Sequence, residues 1–576
     1  MAEYSPKSAF KKLFKFIELE RKDIGNLYLF ALISGLISLS LPLGIQAMIT
    51  YLFAGKVSSS VVILIALILL GILVSGVMMY FNLVITERIQ QKNFARYTLK
   101  VAETFPDIDL SKTGSTYLPE FANRFFDIPI LQKNISKILI DFPVASLQVI
   151  FGLLLLSIYH SVFIFFNILI LGGLILFFRF TFDRGFKSSV MESNYKYAIG
   201  YWLEDIANNI KSIKLNTNTQ YVLERTDKLV YKYVQARKDH FDVLGFQFGG
   251  FVLFKLFTIA TLLLVGAFLF LNQEINLGQL VASEIIVITI INSVEKLFSL
   301  LETLYDTLTA FDKVHKLLDI EKEKEGTLDF NCKDLDALSL ELKDVSYKFS
   351  ESSSYSLKNI SLKIAEGEKI AIMGAEGSGK STLMKILAGA ISSSSGLVTV
   401  NDIPIDNIKK LNLRSRISEL LSDREIFKGT VIDNILVGDK TVKTEVIIAE
   451  CEKMGLLSYI QNMPNGFEHT LESTGKSLPR GVIIKILLLR AFIDNPAFVL
   501  LEDYWSILTP NEKQKIENYI LSKTNKSTTI VATNDVLFAS KFDTVVLMEN
   551  GQIVAKGKIS DISKHEIFVR NYGINR

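Results

Sequence analysis

Residues 26–55 carry no charge, and neither do residues 57–86, with Lys56 alone between them. About twenty apolar residues in a helix cross the roughly 30 Å hydrocarbon core of a bilayer, so each stretch is long enough to span one. Residues 142–178 are also free of charge, too long for one helix, and interrupted by Tyr159-His160-Ser161, which predicts two spans joined by a very short turn. Residues 243–271 and 277 to about 300 supply two more. Six predicted spans therefore occupy the first half of the chain.

Basic residues set the orientation. Arg88, Lys92, Arg96, Lys100, Lys112, Arg124, Lys133 and Lys137 fill the segment after the second span, and residues 179–238 are similarly basic. The turns on the other side hold Lys56 as their basic residue. By the positive-inside rule both long segments and both termini are cytoplasmic. Lys7, Lys11, Lys12, Lys15, Arg21 and Lys22 precede an apolar run too long for the h-region of a cleaved signal peptide. The long segments read as helices continuing the spans, with Tyr201-Trp202-Leu203, Ile206, Ile210 and Ile213 on one face.

Composition agrees with a membrane protein and excludes other classes. Of 576 residues, 49% are hydrophobic and 21% charged, a balance incompatible with wholesale disorder. The 63 basic and 60 acidic residues leave a net charge of +3, which gives no support for a nucleic-acid-binding protein. Cys332 and Cys451 stand far apart and the five histidines are scattered, so neither a disulfide framework nor a zinc site is expected.

After the charged linker that opens at Glu321-Lys322-Glu323-Lys324-Glu325-Gly326, strands and helices alternate and no run is long enough to span. Strands are predicted at 362–364, 369–373, 497–501 and 529–532 and a helix at 381–388, a parallel-sheet α/β pattern. The expected fold is an all-α six-helix transmembrane domain followed by a P-loop α/β domain. Its expected parts are a cytoplasmic segment over 1–25, a membrane domain over 26–320, a linker over 321–336 and the α/β domain over 337–576.

Gly374-Ala375-Glu376-Gly377-Ser378-Gly379-Lys380-Ser381, followed by Thr382, lies between a predicted strand and a predicted helix, the context a P-loop requires. Its glycines let backbone N–H groups face phosphate oxygens, the helix N-terminus adds positive potential, Lys380 reaches the terminal phosphates and Ser381 can ligate magnesium. ATP with magnesium is the expected cofactor. Glu376 is anomalous, since a carboxylate here opposes the phosphates unless it points away.

Six spans followed by this P-loop domain resemble an ABC exporter half-transporter, and the resemblance covers essentially the whole chain. Residues 357–369 are similar to the family's approach to the P-loop, and Asp344-Val345-Ser346-Tyr347-Lys348-Phe349 to the segment that offers an aromatic, here Phe349, to adenine. The resemblance implies roles at positions where this sequence departs from the pattern. Ser422 stands at the Q-loop glutamine, before Asp423 and Phe427-Lys428-Gly429-Thr430-Val431. Leu478-Pro479-Arg480-Gly481-Val482 replaces the LSGGQ signature, while a predicted helix over 486–492 and Asp494-Asn495-Pro496 keep the register. Glu502-Asp503 replaces Asp-Glu after the strand at 498–501, and Asn534 replaces the switch histidine.

Glu502 can hold the magnesium shell through water. Asp503 stands where the general base would polarise the attacking water, but is one methylene short. An amide at Asn534 can bond a γ-phosphate but cannot serve as an imidazole does. The family pairs one chain's P-loop with the other's signature, so a homodimer or a heterodimer with a second half-transporter is expected, as is binding of Mg·ATP with hydrolysis weakened. Two roles follow: an exporter half coupling ATP to transport, or a nucleotide-binding subunit that supports a competent partner half.

Lys255 in the fifth span and Glu284 in the sixth are intramembrane charges, which mark either a path for a polar substrate, a structural pair or an unselective wet cavity. Residues 277–284 and 301–306 resemble the branch that exports proteins and peptides with a membrane-fusion adaptor. That branch implies a bacterial inner membrane with the ATP-binding domain in the cytoplasm. With the first span beginning near Asn26, no N-terminal cysteine-peptidase domain is expected.

Overall fold

The computed structural model describes residues 10–573 apart from residues 12, 15–17, 54–58, 113–117, 216–218, 330–334, 350–353, 422–425, 439–440 and 525. Among the described residues, six helical stretches are long and apolar enough to cross a membrane. They are built from α1 (Arg21–Ser38) with α2 (Ser40–Phe53), α3 (Ser59–Thr104), α4 (Asp127–Tyr159), α5 (Val162–Asn208), α6 (Thr219–Leu271) and α7 (Leu277–Leu318). At 1.5 Å per residue the 46 residues of α3 extend about 69 Å, far beyond the hydrocarbon core, so its charge-rich C-terminal part from Glu87 onward projects from it.

The first apolar stretch is two helices rather than one. The Ser38 hydroxyl donates to Gly35 O at 2.6 Å, and Pro42 brings no N–H to the first turn of α2, so the ladder is interrupted at Leu39. At the fourth and fifth spans His160 and Ser161 form the short turn, and Asn167 Nδ2 ties α5 to α4 by donating to Leu153 O at 2.6 Å. A reciprocal capping box starts α7: Asn276 Oδ1 accepts from Gln279 N–H, and Gln279 Oε1 from Asn276 N–H. Between α4 and α7 a side chain at Gly152 would meet Ile290 Cγ1 at 2.8 Å, so the missing Cβ lets these helices approach. The most apolar window of α3 is entirely unburied within the chain, as a lipid-facing or partner-facing helix requires.

The chain forms two units. One comprises Met1–Pro106 and Tyr117–Ile320; the other comprises Asp107–Thr116 and Glu321–Arg576. Grouping 107–116 with the second unit departs from the sequence reading, which kept it in the membrane domain. The reason is a short antiparallel bridge: Asp109 N–H donates to Glu321 O at 3.0 Å and Glu323 N–H to Asp107 O at 2.8 Å. Glu323 in turn pairs with Arg414 at 2.5 Å, fixing the linker on the second unit.

In that second unit β1 (Leu340–Tyr347), β2 (Leu357–Ile364), β4 (Ser395–Val400) and β5 (Ile403–Pro404) make an antiparallel sheet in the order β2-β1-β4-β5. The larger sheet runs β10-β9-β3-β8-β7-β6. Its strands are β3 (Lys369–Gly374), β6 (Ile417–Leu420), β7 (Phe498–Glu502), β8 (Thr528–Ala532), β9 (Thr544–Glu549) and β10 (Gln552–Gly557). All neighbours are parallel except β9–β10. β3 explains why the sheet is central: Ile370 and Ile372 enter one apolar core, Ala371 and Met373 the other, so both faces are covered. The carboxyl ends of β3, β7 and β8 converge, which is where an open parallel sheet places its ligands.

Candidate nucleotide site

β3 delivers the chain into the turn at 375–379, and α8 (Lys380–Leu387) departs from it. Gly379 caps that helix in a left-handed conformation (φ 98°), and a Cβ there would lie 2.9 Å from Ser356 O, so glycine is required on both counts. The first turn of α8, like that of any helix, has N–H groups without an intrahelical partner that can meet an anion. Lys380 Nζ donates to Gly374 O at 2.6 Å and Ala375 O at 2.9 Å. Burial pushes its ammonium below the ordinary lysine value, against the opposing pull of Glu502 and Glu376. Such a charge gains from an anion in the same cavity. Ser381 and Glu376 are exposed, whereas Thr382 is buried with its hydroxyl 2.9 Å from Ser356 Oγ.

A cavity of about 480 Å³ opens beside this loop, lined by Lys380, Ser381, Glu502, Asp503, Thr533 and Asn534 among others. β7 ends at Glu502, whose Oε2 accepts from the Tyr504 hydroxyl at 2.8 Å; the same hydroxyl reaches Leu421 O at 2.9 Å. Asp503 is held by three donors. Ser506 N–H reaches Oδ1 at 3.0 Å, while the Ser506 and Thr533 hydroxyls reach Oδ2 at 2.5 and 2.6 Å. These bonds fix the orientation of the Asp503 carboxylate and occupy both of its oxygens.

Asn534 follows Thr533 at the end of β8, and its Oδ1 accepts from the Tyr572 hydroxyl at 2.8 Å. Asp535 caps the next helical turn through Phe538 N–H and pairs with Lys513. Lys380 and Ser381 of the P-loop thus line one cavity together with Glu502, Asp503 and Asn534. Phe349 lies on the exposed edge after β1, edge-on to Tyr347 with ring centroids 5.0 Å apart. Ser422 lies outside the described residues.

Leu478, Pro479, Arg480 and Gly481 lead into α10 (Arg480–Phe492), which follows α9 (Val431–Leu436) in the chain. The helix begins six residues before the predicted 486, because Pro479 presets the backbone at the helix entrance and Arg480 and Gly481 continue it. A hub invisible to sequence reading joins α10 to the segment at 427–434. Arg490 Nε donates to Asn434 O at 2.8 Å, while the buried Asn434 amide bonds Phe427 O at 2.9 Å and Thr430 O at 3.1 Å. Tyr504, Ser506, Thr533 and Tyr572 were likewise missed, since nothing local in the sequence marks them as neighbours of the cavity.

In the membrane unit Lys255 is exposed on α6 and Glu284 half-buried on α7, and no ion pair joins them among the described residues. A different cavity, of about 500 Å³, is lined by Phe248, Phe251 and Phe298 with Gln247, Glu295 and Glu302. Gln247 is 3% exposed, donates to the Tyr305 hydroxyl at 2.8 Å, and leaves its Oε1 without a partner.

Residues 24–294 match the ABC transporter transmembrane region and residues 357–504 match the ABC transporter family. The chain is 27% identical over 369 residues to an uncharacterized ABC transporter ATP-binding protein, YfiB, of Bacillus subtilis, covering 63% of each. It is 27% identical over 450 residues to the transport/processing ATP-binding protein ComA of Streptococcus pneumoniae, covering 77% of this chain and 62% of ComA. It thus spans less than two thirds of either relative. An ATP-dependent lipid A-core flippase of Desulfotalea psychrophila is 23% identical over 85% of this chain and 86% of its own. A bacterial Atm1-family ABC exporter with ATP bound shares the fold, with a TM-score of 0.86 at 15% identity over 96% of this chain and 98% of that one.

Proposed function

This chain belongs to the ABC transporter family as a half-transporter, a multi-pass membrane domain fused to an ATP-binding domain, and from that premise we propose that it is an exporter half that dimerises and couples Mg·ATP to transport. The observation that carries the reading is the P-loop in its full setting: strand, glycine turn, half-buried Lys380 and helix N-terminus on one cavity. The donors present fit the ligand. Lys380 and the first turn of α8 would hold phosphates, Ser381 and Glu502 the magnesium shell, Asn534 the γ-phosphate, and Phe349 the adenine. Leu478, Pro479, Arg480 and Gly481 would face the partner's nucleotide. Bound magnesium supplies neutralisation of phosphate charge.

Hydrolysis by this half is slow in the proposed reading, because Asp503 is short and tied to Ser506 and Thr533. That arrangement also favours the second role, a binding half that supports a partner with a competent base. The partner is a second copy or a different half-transporter, and copurification separates the two. The bacterial inner membrane with a cytoplasmic ATP-binding domain, and a membrane-fusion adaptor, are carried by the branch likeness and the basic segments. Peptides are the first substrates to try, given the transport/processing relatives, with the Phe-lined cavity and its carboxylates as a contact beside Lys255 and Glu284.

The deciding experiment is Mg·ATP binding by the purified chain in lipid. Lys380→Ala should weaken ATP binding about 10- to 100-fold, the value of charge-assisted hydrogen bonds to phosphate. Equal affinity in wild type and variant rejects the site.

A further inference from the structure

The C-terminal helix α11 (Glu566–Tyr572) brings one hydroxyl between two parts of the nucleotide site. Gly374 N–H, at the start of the P-loop, donates to Tyr572 Oη at 2.8 Å, and the Tyr572 hydroxyl donates to Asn534 Oδ1 at 2.8 Å. The Tyr572 ring is half-buried and packs on Phe568 with centroids 5.0 Å apart, so the hydroxyl is placed by packing as well as by its two bonds.

This chain of donors has a direction. An amide has one accepting and one donating side. With Tyr572 Oη accepting from Gly374 and its proton given to Asn534 Oδ1, the accepting side of Asn534 is occupied and the Nδ2 side is the one left for the cavity. The neighbours of Asn534 are anchored independently: Thr533 to Asp503, and Asp535 to Phe538 and Lys513. The amide's orientation is therefore the variable that Tyr572 sets.

We propose that Tyr572 is a positioning residue for nucleotide discrimination: it fixes Asn534 as a hydrogen-bond donor toward the terminal phosphate and links that donor to the P-loop, so the site distinguishes ATP from ADP. The proposal rests on the reading of this cavity as a nucleotide site. ADP lacks the oxygen that Nδ2 would meet; the preference for ATP is the quantity Tyr572 controls.

The test uses the full chain in lipid nanodiscs, with Mg·ATP and Mg·ADP each displacing a fluorescent nucleotide. Tyr572→Phe keeps the ring and removes the hydroxyl. The expected result is a fall of about fivefold in the ATP-to-ADP affinity ratio, the size of one net hydrogen bond, with ADP affinity within about twofold of wild type. In an Asn534→Ala background the same change should alter the ratio no further, since the two residues act as one unit. An unchanged ratio, an equal loss of ATP and ADP binding, or an additive effect in that background overturns the proposal. Should Tyr572→Phe fail to fold, Asn534→Asp serves: it keeps an acceptor for Tyr572 and puts a negative oxygen where Nδ2 was. The ratio should then fall more than fivefold, and an unchanged ratio overturns the assignment. Wild-type chain that binds no ATP sinks the nucleotide reading and the relay together; binding with no change of ratio sinks the relay alone.

Discussion

The two sides of the nucleotide cavity are built on different principles. On the P-loop side, contiguous residues supply the chemistry through the backbone, with Gly377, Gly379 and the N-terminus of α8 shaping a phosphate cradle and Lys380 adding charge. On the opposite side, Asp503 and Asn534 come from the ends of two strands and depend on side chains that restrain them: Ser506 and Thr533 for the first, Tyr572 for the second. In the proposed reading the first side keeps binding while the second is weak in catalysis, because backbone donors survive substitution of side chains and a general base does not. On the proposed reading, binding and hydrolysis are therefore separable.

The largest effect should come from rebuilding the second side. Asp503→Glu together with Asn534→His restores the reach of the base and an imidazole at the switch position. We expect the ATPase rate in lipid to rise roughly 10- to 100-fold, within the range a positioned base contributes. A rate unchanged from wild type breaks the contrast, as it would show that these positions do not limit hydrolysis.

A smaller effect probes what holds the signature segment. Arg490→Ala removes the bonds to Asn434 and leaves the buried Asn434 carbonyl short of a donor, so the ATP-binding unit should lose about 1–3 kcal/mol of stability, read as a lowered Tm. Mg·ATP affinity at the P-loop should stay within about threefold if the signature segment and the P-loop are independent. An equal loss of affinity would show that they are coupled.

The smallest concerns pH. Burial pushes the Asp535 carboxyl up, but the Lys513 ammonium and the Phe538 N–H outweigh it and hold it below the usual aspartate value. A depressed carboxylate contributes its stability in full above the ordinary value of 3.8 and loses it as pH falls through the lowered one. Asp535→Asn keeps a capping oxygen and should flatten the acid side of the stability profile by less than about 1 kcal/mol, measured by chemical unfolding between pH 5 and 2. An identical slope in both proteins would deny the Lys513 pair any role.

Much of the architecture was legible because its signals are local. Charge-free runs, short turns and helical periodicity lie within single windows, and the P-loop is nine consecutive residues whose strand and helix flank it directly. Where boundaries moved, a neighbour decided: Ser38 and Pro42 split the first stretch, and Pro479 advanced the start of α10. The grouping of 107–116 with the second unit was hidden, because the bridge from Asp109 to Glu321 joins residues more than two hundred positions apart.

By itself the sequence determined that this chain crosses a membrane six times and ends in a phosphate-binding α/β domain, since hydrophobic length and backbone-donated phosphate contacts need only neighbouring residues. The state of the chemistry was decided by tertiary structure alone. Whether Asp503 is free or tied, and which side of Asn534 faces the cavity, depend on Thr533 thirty residues away and on Tyr572 linked across 198 residues to Gly374. A side chain's hydrogen-bond partners are set by what folding brings within about 3 Å, and no pattern along the chain encodes that distance.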